Sequence, residues 1–185
     1  MPTYPVRVYG DPVLRQRARE VEEIDQPLGR LVEDMVETMY ASEGAGLAAT
    51  QVGVQRRLFV YDVGDGPRAV VNPVIEESDG EWYYDEGCLS IPGLRLGIVR
   101  PKRVHLRGLD ERGNELDVEA DDFLARVFEH EVDHLDGVLM IERLDADLRR
   151  QAHRVLRDRE LGLDTSAMEE RLVRHDLDTS GARPV

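Results

Sequence analysis

Residues 128–137 read FEHEVDHLDG, and no other stretch restricts the possible folds of this chain as much. His130 and His134 are four residues apart, so on a helix they stand one turn from each other on one face, where both imidazoles can reach one ion. Glu131 is rotated by roughly 100° from His130, and its carboxylate can meet a water on that ion without becoming a ligand. The same helix needs a buried side. Leu124, Val127, Phe128 and Leu135 supply it, Asp122 is placed to cap a helix starting at Phe123, and Gly137 is placed to end it. A packed helix with two metal donors on one face requires a core around it and a third donor from elsewhere.

The chain has 185 residues, 41% of them hydrophobic, which is enough for one domain with its own core rather than two. With 38 acidic against 24 basic residues and a formal charge of -14, general binding to DNA, RNA or anionic membranes is disfavoured, and only a local basic face could offset it. No apolar run approaches the roughly 20 residues that span a bilayer, and the opening MPTYPVRVYG lacks the apolar stretch of a secretion signal, so a cytoplasmic location is expected.

Taken in order, PVRVYG is strand-like, and DPVLRQRARE carries a helix signal with Asp11 as N-cap and Pro12 at the first helical position. A clearer helix starts after Asp25, where Leu28, Leu31, Val32, Met35, Val36 and Met39 form one apolar stripe. It runs into EGAGLAATQVG (43–53), whose Gly44 and Gly46 allow close backbone approach and whose Gln51 is the polar group of interest. RRLFVYDV, RAVVNPVI and WYYDEG read as short strands, and VHLRGLD and ELDVEA as a hairpin about ERGN. Beyond the apolar run VLMIERL, residues 145–161 form a helix with Arg149, Arg150, Arg154 and Arg157 at helical spacing; residues 162–185 read as a polar tail. Without regular βαβ alternation the class is α+β: antiparallel or mixed sheets packed around the helix that carries HEVDH, followed by a C-terminal helix. A single domain is expected over 1–161.

The single cysteine, Cys88, cannot form an internal disulfide, which leaves a buried hydrophobe, a reactive thiol or a metal thiolate. As a ligand it would complete a set of three with His130 and His134 and leave one coordination position open, the arrangement of catalytic rather than structural sites. A downstream carboxylate such as Glu160 competes for the third place, as in small zinc endopeptidases, and a closed structural metal site is the non-enzymatic alternative.

Three stretches, GAGLAATQ (44–51), EGCLS (86–90) and HEVDH (130–134), occur in the order and relative placement found in peptide deformylases, and from about residue 5 to residue 160 the chain closely resembles that family. The resemblance implies hydrolytic removal of the formyl group from the N-terminal formylmethionine of nascent polypeptides, a step of protein biosynthesis. It implies Cys88, His130 and His134 as metal ligands, Glu131 as general base and acid, and Gln51 with the Leu89 backbone N–H as donors to the developing oxyanion. Gly44 and Gly46 would admit the formyl group, Ala45, Val127 and His130 would surround the methionine side chain, and Arg95 would hold the peptide backbone. It further implies one divalent ion, natively Fe²⁺, with Zn²⁺, Ni²⁺ or Co²⁺ as substitutes that the ligand set also suits. The residue before the first histidine, usually Gln in the family, is Glu129 here. Asp133 reads equally as a support to an imidazole or as a solvated helix charge. If the substrate is a nascent chain, the arginine face of 145–161 reads either as a contact for ribosomal RNA or as the solvated side of a helix that caps the core.

Overall fold

The computed structural model describes residues 3–180. Among these residues seven strands and four α-helices alternate irregularly, as in an α+β fold. β1 (Gly46–Ala48), β2 (Leu58–Tyr61), β3 (Arg68–Asp79), β6 (Arg103–Leu109) and β7 (Glu115–Asp121) form an antiparallel sheet in the order β1-β2-β3-β6-β7. β4 (Trp82–Cys88) and β5 (Ile91–Arg100) form a separate antiparallel hairpin.

Asp25 caps α1 (Gln26–Ala41) by accepting from the Leu28 N–H at 2.9 Å, and the expected stripe is buried at Leu28, Leu31, Val32, Met35 and Met39 against Leu47, Leu58 and Val60 of the sheet. α2 (Asp122–Leu135) packs on β1, β2, β6 and β7, with Phe128 against Phe59 and edge-on to Tyr61 at a centroid distance of 5.0 Å. Its second side faces the β4–β5 hairpin, so the helix is buried almost all round from Ala125 to Leu135. α3 (Ala146–Glu160) starts at Asp145, whose side chain accepts from the Asp147 and Leu148 N–H groups, and closes a further core with Ile91, Leu94, Leu96 and Ile98 of β5. Among the described residues no helix is long and apolar enough to cross a membrane.

PVRVYG forms no strand and is held by single backbone bonds, Arg7 N–H to Gln51 O and Tyr9 N–H to Ser90 O, and the chain departs from the sequence reading in three further places. The helix signal at DPVLRQRARE yields only a 3-10 turn, Pro12–Arg15, capped by Asp11. Beyond it the backbone is drawn into long-range bonds instead, Ala18 N–H to Leu135 O at 2.7 Å and a bridge between Arg19 and Arg56, because too few apolar positions follow to bury a helix face. Asp122 does not cap α2: it is the first helical residue, with φ +44°, and no side chain caps that end. From Gly162 the expected polar tail gives way to α4 (Ser166–Ser180), which lays a fully buried Leu172 into the core of β5 and α3. One buried leucine in a charged segment is too weak a periodicity to read from sequence.

Candidate metal centre and active site

α2 enters the core with His130 and His134 on one side, and the β4–β5 turn delivers Cys88 to meet them. Cys88 Sγ and His134 Nε2 lie 3.2 Å apart, and His134 Nε2 and His130 Nε2 also 3.2 Å. The three donor atoms fall within 4.8 Å of one another. Tetrahedral bonds of the usual Zn–N and Zn–S lengths place their donors roughly 3.3–3.6 Å apart, so this set fits a single divalent ion with little movement. Two imidazole nitrogens turned toward a sulfur, all buried, have no better use as hydrogen-bond partners of one another.

His130 is held in that orientation from behind. Its Nδ1 donates to Glu86 Oε1 at 2.6 Å, which leaves Nε2 for the ion. Glu86 also accepts from Arg100, Nε at 2.8 Å and Nη2 at 2.7 Å, and from Arg126 Nη1 at 2.8 Å. Burial alone would raise the Glu86 pKa, but His130 and Arg100 outweigh it and hold the carboxyl well below its usual range. Burial likewise disfavours the His130 imidazolium, yet Glu86 and the Cys88 sulfur outweigh it and push its pKa well up; an ion on these donors must displace that proton. His134 has no such carboxylate, and burial followed by the charge of His130 lowers it well below the ordinary histidine value.

Asp133 is not a solvated helix charge, and its support to an imidazole is indirect. It is buried and accepts from Arg100 Nη1 at 2.8 Å and from Arg143, so it anchors the same arginine that grips Glu86. The chain Asp133–Arg100–Glu86–His130 thus runs from the back of α2 through β5 to the metal donors. Removing one partner from buried ion pairs of this kind costs about 3–5 kcal/mol, because the other charge is left uncompensated. Glu86 lies within the EGCLS stretch but was not singled out, and Arg100, Arg126 and Arg143 carry no motif. A signal for Arg100 did exist: Leu94, Leu96, Ile98 and Arg100 alternate along β5 and all are buried, so the strand pattern itself points this guanidinium inward.

In front of the donors lies a cavity of about 670 Å³. Cys88, His130 and Glu131 form part of its wall, as do Gly44, Ala45, Gly46 and Gln51 from the loop after α1, Leu89 and Arg95 from the hairpin, and Val127 from α2. Phe123, without a signal in the sequence, stands half-exposed in the same wall. Glu131 is 3% exposed, and its Oε2 has no hydrogen-bond partner among the described residues. Burial raises its pKa to about 7, and a divalent cation beside it would pull that value down. A Cβ on Gly46 would collide with this carboxylate, so glycine is needed there for packing as well as access, and one on Gly44 would meet the end of the Leu89 side chain at 2.8 Å and push it aside. Gln51 is oriented at both ends: Oε1 accepts from Ala48 N–H at 2.8 Å, and Nε2 donates to Ser90 Oγ at 3.2 Å and points at Cys88 Sγ at 3.9 Å.

Glu160 lies at the end of α3 with its carboxylate against Gly10, outside the donor group. Glu129, beside the first histidine, leaves Oε2 without a hydrogen-bond partner among the described residues; burial raises its pKa to about 7, with Asp133 adding and the arginines subtracting. It faces the Arg100 and Arg143 side of α2 and does not line the cavity.

The model of the family described as Polypeptide deformylase matches residues 3–150. A peptide deformylase of Clostridium botulinum is 51% identical over 138 residues, covering 75% of this chain and 94% of the relative. The crystal structure of peptide deformylase from Thermus thermophilus superposes with a TM-score of 0.80 at 40% identity, covering 94% of this chain and 99% of that one. That of the Ehrlichia chaffeensis enzyme in complex with actinonin gives 0.81 at 38% identity, covering 86% and 99%. Agreement over most of the chain, in sequence and in backbone alike, places this protein in the peptide deformylase family.

Proposed function

We propose that this protein is a metal-dependent hydrolase that removes the formyl group from N-formylmethionyl peptides at the start of their life. The observation that carries the reading is the convergence of Cys88, His130 and His134 on one point, with Cys88 and His130 in the wall of a cavity that the buried Glu131 carboxylate also lines. Cys88, His130 and His134 would hold one divalent ion, which when bound supplies Lewis acidity and lowers the pKa of water. Glu131 would take up a proton as the nucleophile forms and deliver it to the departing amine, as a buried carboxylate beside the donor group can. The Gln51 amide, fixed at Oε1 by Ala48, and the Leu89 N–H are the donors for charge on the formyl oxygen. The glycines at 44 and 46 let a small formyl group approach between backbone walls, Ala45 and Val127 give the methionine side chain an apolar surface, and Arg95 is the cation for the peptide backbone beyond.

The native ion on this reading is Fe²⁺, which membership of the family suggests; the thiolate and two imidazoles themselves suit Fe²⁺, Zn²⁺, Ni²⁺ and Co²⁺ alike. Protein purified without oxygen is expected to carry about one such ion per chain and to release formate from a formyl-Met peptide, with no cleavage of internal peptide bonds. Formate-free hydrolysis at internal bonds would replace this reading with an endopeptidase.

The enzyme acts in the cytoplasm near the ribosome, and α3 gives it a basic face for ribosomal RNA. Arg150, Arg154 and Arg157 are exposed and Arg149 half-buried on that helix, although Asp147 pairs with Arg150 and Asp158 with Arg154 and Arg157. Replacing all four arginines with Ser is expected to leave turnover on a free peptide unchanged and to weaken salt-sensitive co-sedimentation with ribosomes. Equal co-sedimentation of variant and parent at low salt removes the contact.

A further inference from the structure

The β4–β5 hairpin does not pair evenly. Gly87 opposes Arg95 and Cys88 opposes Ile91, so Pro92, Gly93 and Leu94 are extra residues on one strand with none facing them. Pro92 has no N–H, Gly93 takes φ +77°, and both stand on the cavity wall. The bulge also sets where the next residue, Arg95, emerges, directly across from Gly87. A protruding lip of this kind has lost its ladder bonds and needs another hold.

That hold comes from the C-terminal end of the chain. Arg159, near the end of α3, donates from Nη1 to Pro92 O at 2.8 Å and from Nε to Glu169 Oε1 of α4 at 2.7 Å. Thr165 donates to the same Glu169 oxygen, and Leu172 anchors α4 in the core formed with Ile91, Leu94 and Leu96. Arg159 is 26% exposed; its bond to Glu169 is partly buried, and its bond to Pro92 O lies at the surface, where solvent screens it. α4 lies beyond the residues matched by the family model.

We infer that α4, acting through Arg159, is a positioning element for the substrate cavity: it holds the Pro92–Gly93 lip, and with it Arg95, in the geometry that receives the peptide. This rests on the deformylase reading for its substrate but on the bulge and its bonds for its structure. Arg159 touches neither the metal donors nor Glu131, so loss of its grip affects binding of the peptide and spares the chemical step.

The metal-loaded full chain, Arg159→Ala and the exchanged pair Arg159→Glu with Glu169→Arg are compared by formyl-Met-peptide kinetics and by hydrogen exchange of the backbone amides of Gly93 and Leu94. Arg159→Ala is expected to raise KM by about fivefold to tenfold with kcat within about twofold, metal content unchanged and the two amides exchanging faster. The exchanged pair restores an ion pair between α3 and α4 but places no donor at Pro92 O, so thermal stability should recover while KM and amide exchange stay altered. Unchanged amide exchange in Arg159→Ala, or recovery of amide exchange in the exchanged pair, overturns the inference. A parent chain without deformylase activity defeats the functional reading instead, and the amide exchange still decides whether Arg159 holds the lip.

Discussion

Glu131→Gln is expected to bind its ion as the parent does and to lose at least about 10²–10⁴-fold in kcat. The amide has the shape of the carboxyl and fills the same space beside Gly46, but it cannot take up and return a proton. Glu131 stands outside the donor group of Cys88, His130 and His134, so metal content has no reason to fall. Stability should hold or rise slightly, because the parent buries this carboxyl at 3% exposure with one oxygen unpartnered among the described residues. Kinetics on a formyl-Met peptide, alongside metal analysis of the same samples, decides the matter. A variant retaining activity within tenfold of the parent would show that another group moves the proton; a variant depleted of metal would mean that Glu131 is a ligand.

Cys88→Ala should have the second large effect, by a different route. Removing the thiolate leaves two imidazoles, and metal affinity should fall well beyond the roughly 10- to 100-fold that losing a supporting outer contact costs. The side chain is small and sits at the end of a strand whose neighbours Ile91 and Leu96 remain packed, so the far-UV circular dichroism should match the parent. Glu160→Ala is the matched control: that carboxylate is packed against Gly10, and its loss should leave both the ion and turnover intact. Full metal occupancy in Cys88→Ala after dialysis against a mild chelator would contradict the three-ligand site, and loss of metal in Glu160→Ala would favour a His₂Glu site.

Much of this protein was legible because its key positions are local patterns. The four-residue spacing of His130 and His134 with Glu131 between them depends only on helical periodicity, and α2 presents all three as that periodicity requires. The stripe of α1 from Leu28 to Met39, the β6–β7 hairpin and the helix read over 145–161 are likewise short-range features that each segment encodes alone. Where a local signal was present but weak, tertiary bonds overrode it: the helix signal after Asp11 stops at Arg15 because Ala18 and Arg19 find partners on distant segments.

Other features exist only when distant segments meet. Cys88 is 46 residues from His134, and nothing in its neighbours' chemistry says which way its sulfur points until the β4–β5 turn docks on α2. Arg100 grips Glu86 and Asp133, 14 and 33 residues away, and the burial that makes those charges matter is a property of the packed core. Arg159 reaches Pro92 across 67 residues to hold a bulge whose register no single strand specifies. The sequence by itself thus determined the donor helix and the elements that bury it, through periodicity along one chain segment. The third donor's approach, the charge network behind His130 and the buttress on the cavity lip were decided by tertiary structure, because each depends on closing a long loop whose ends carry no local record of each other.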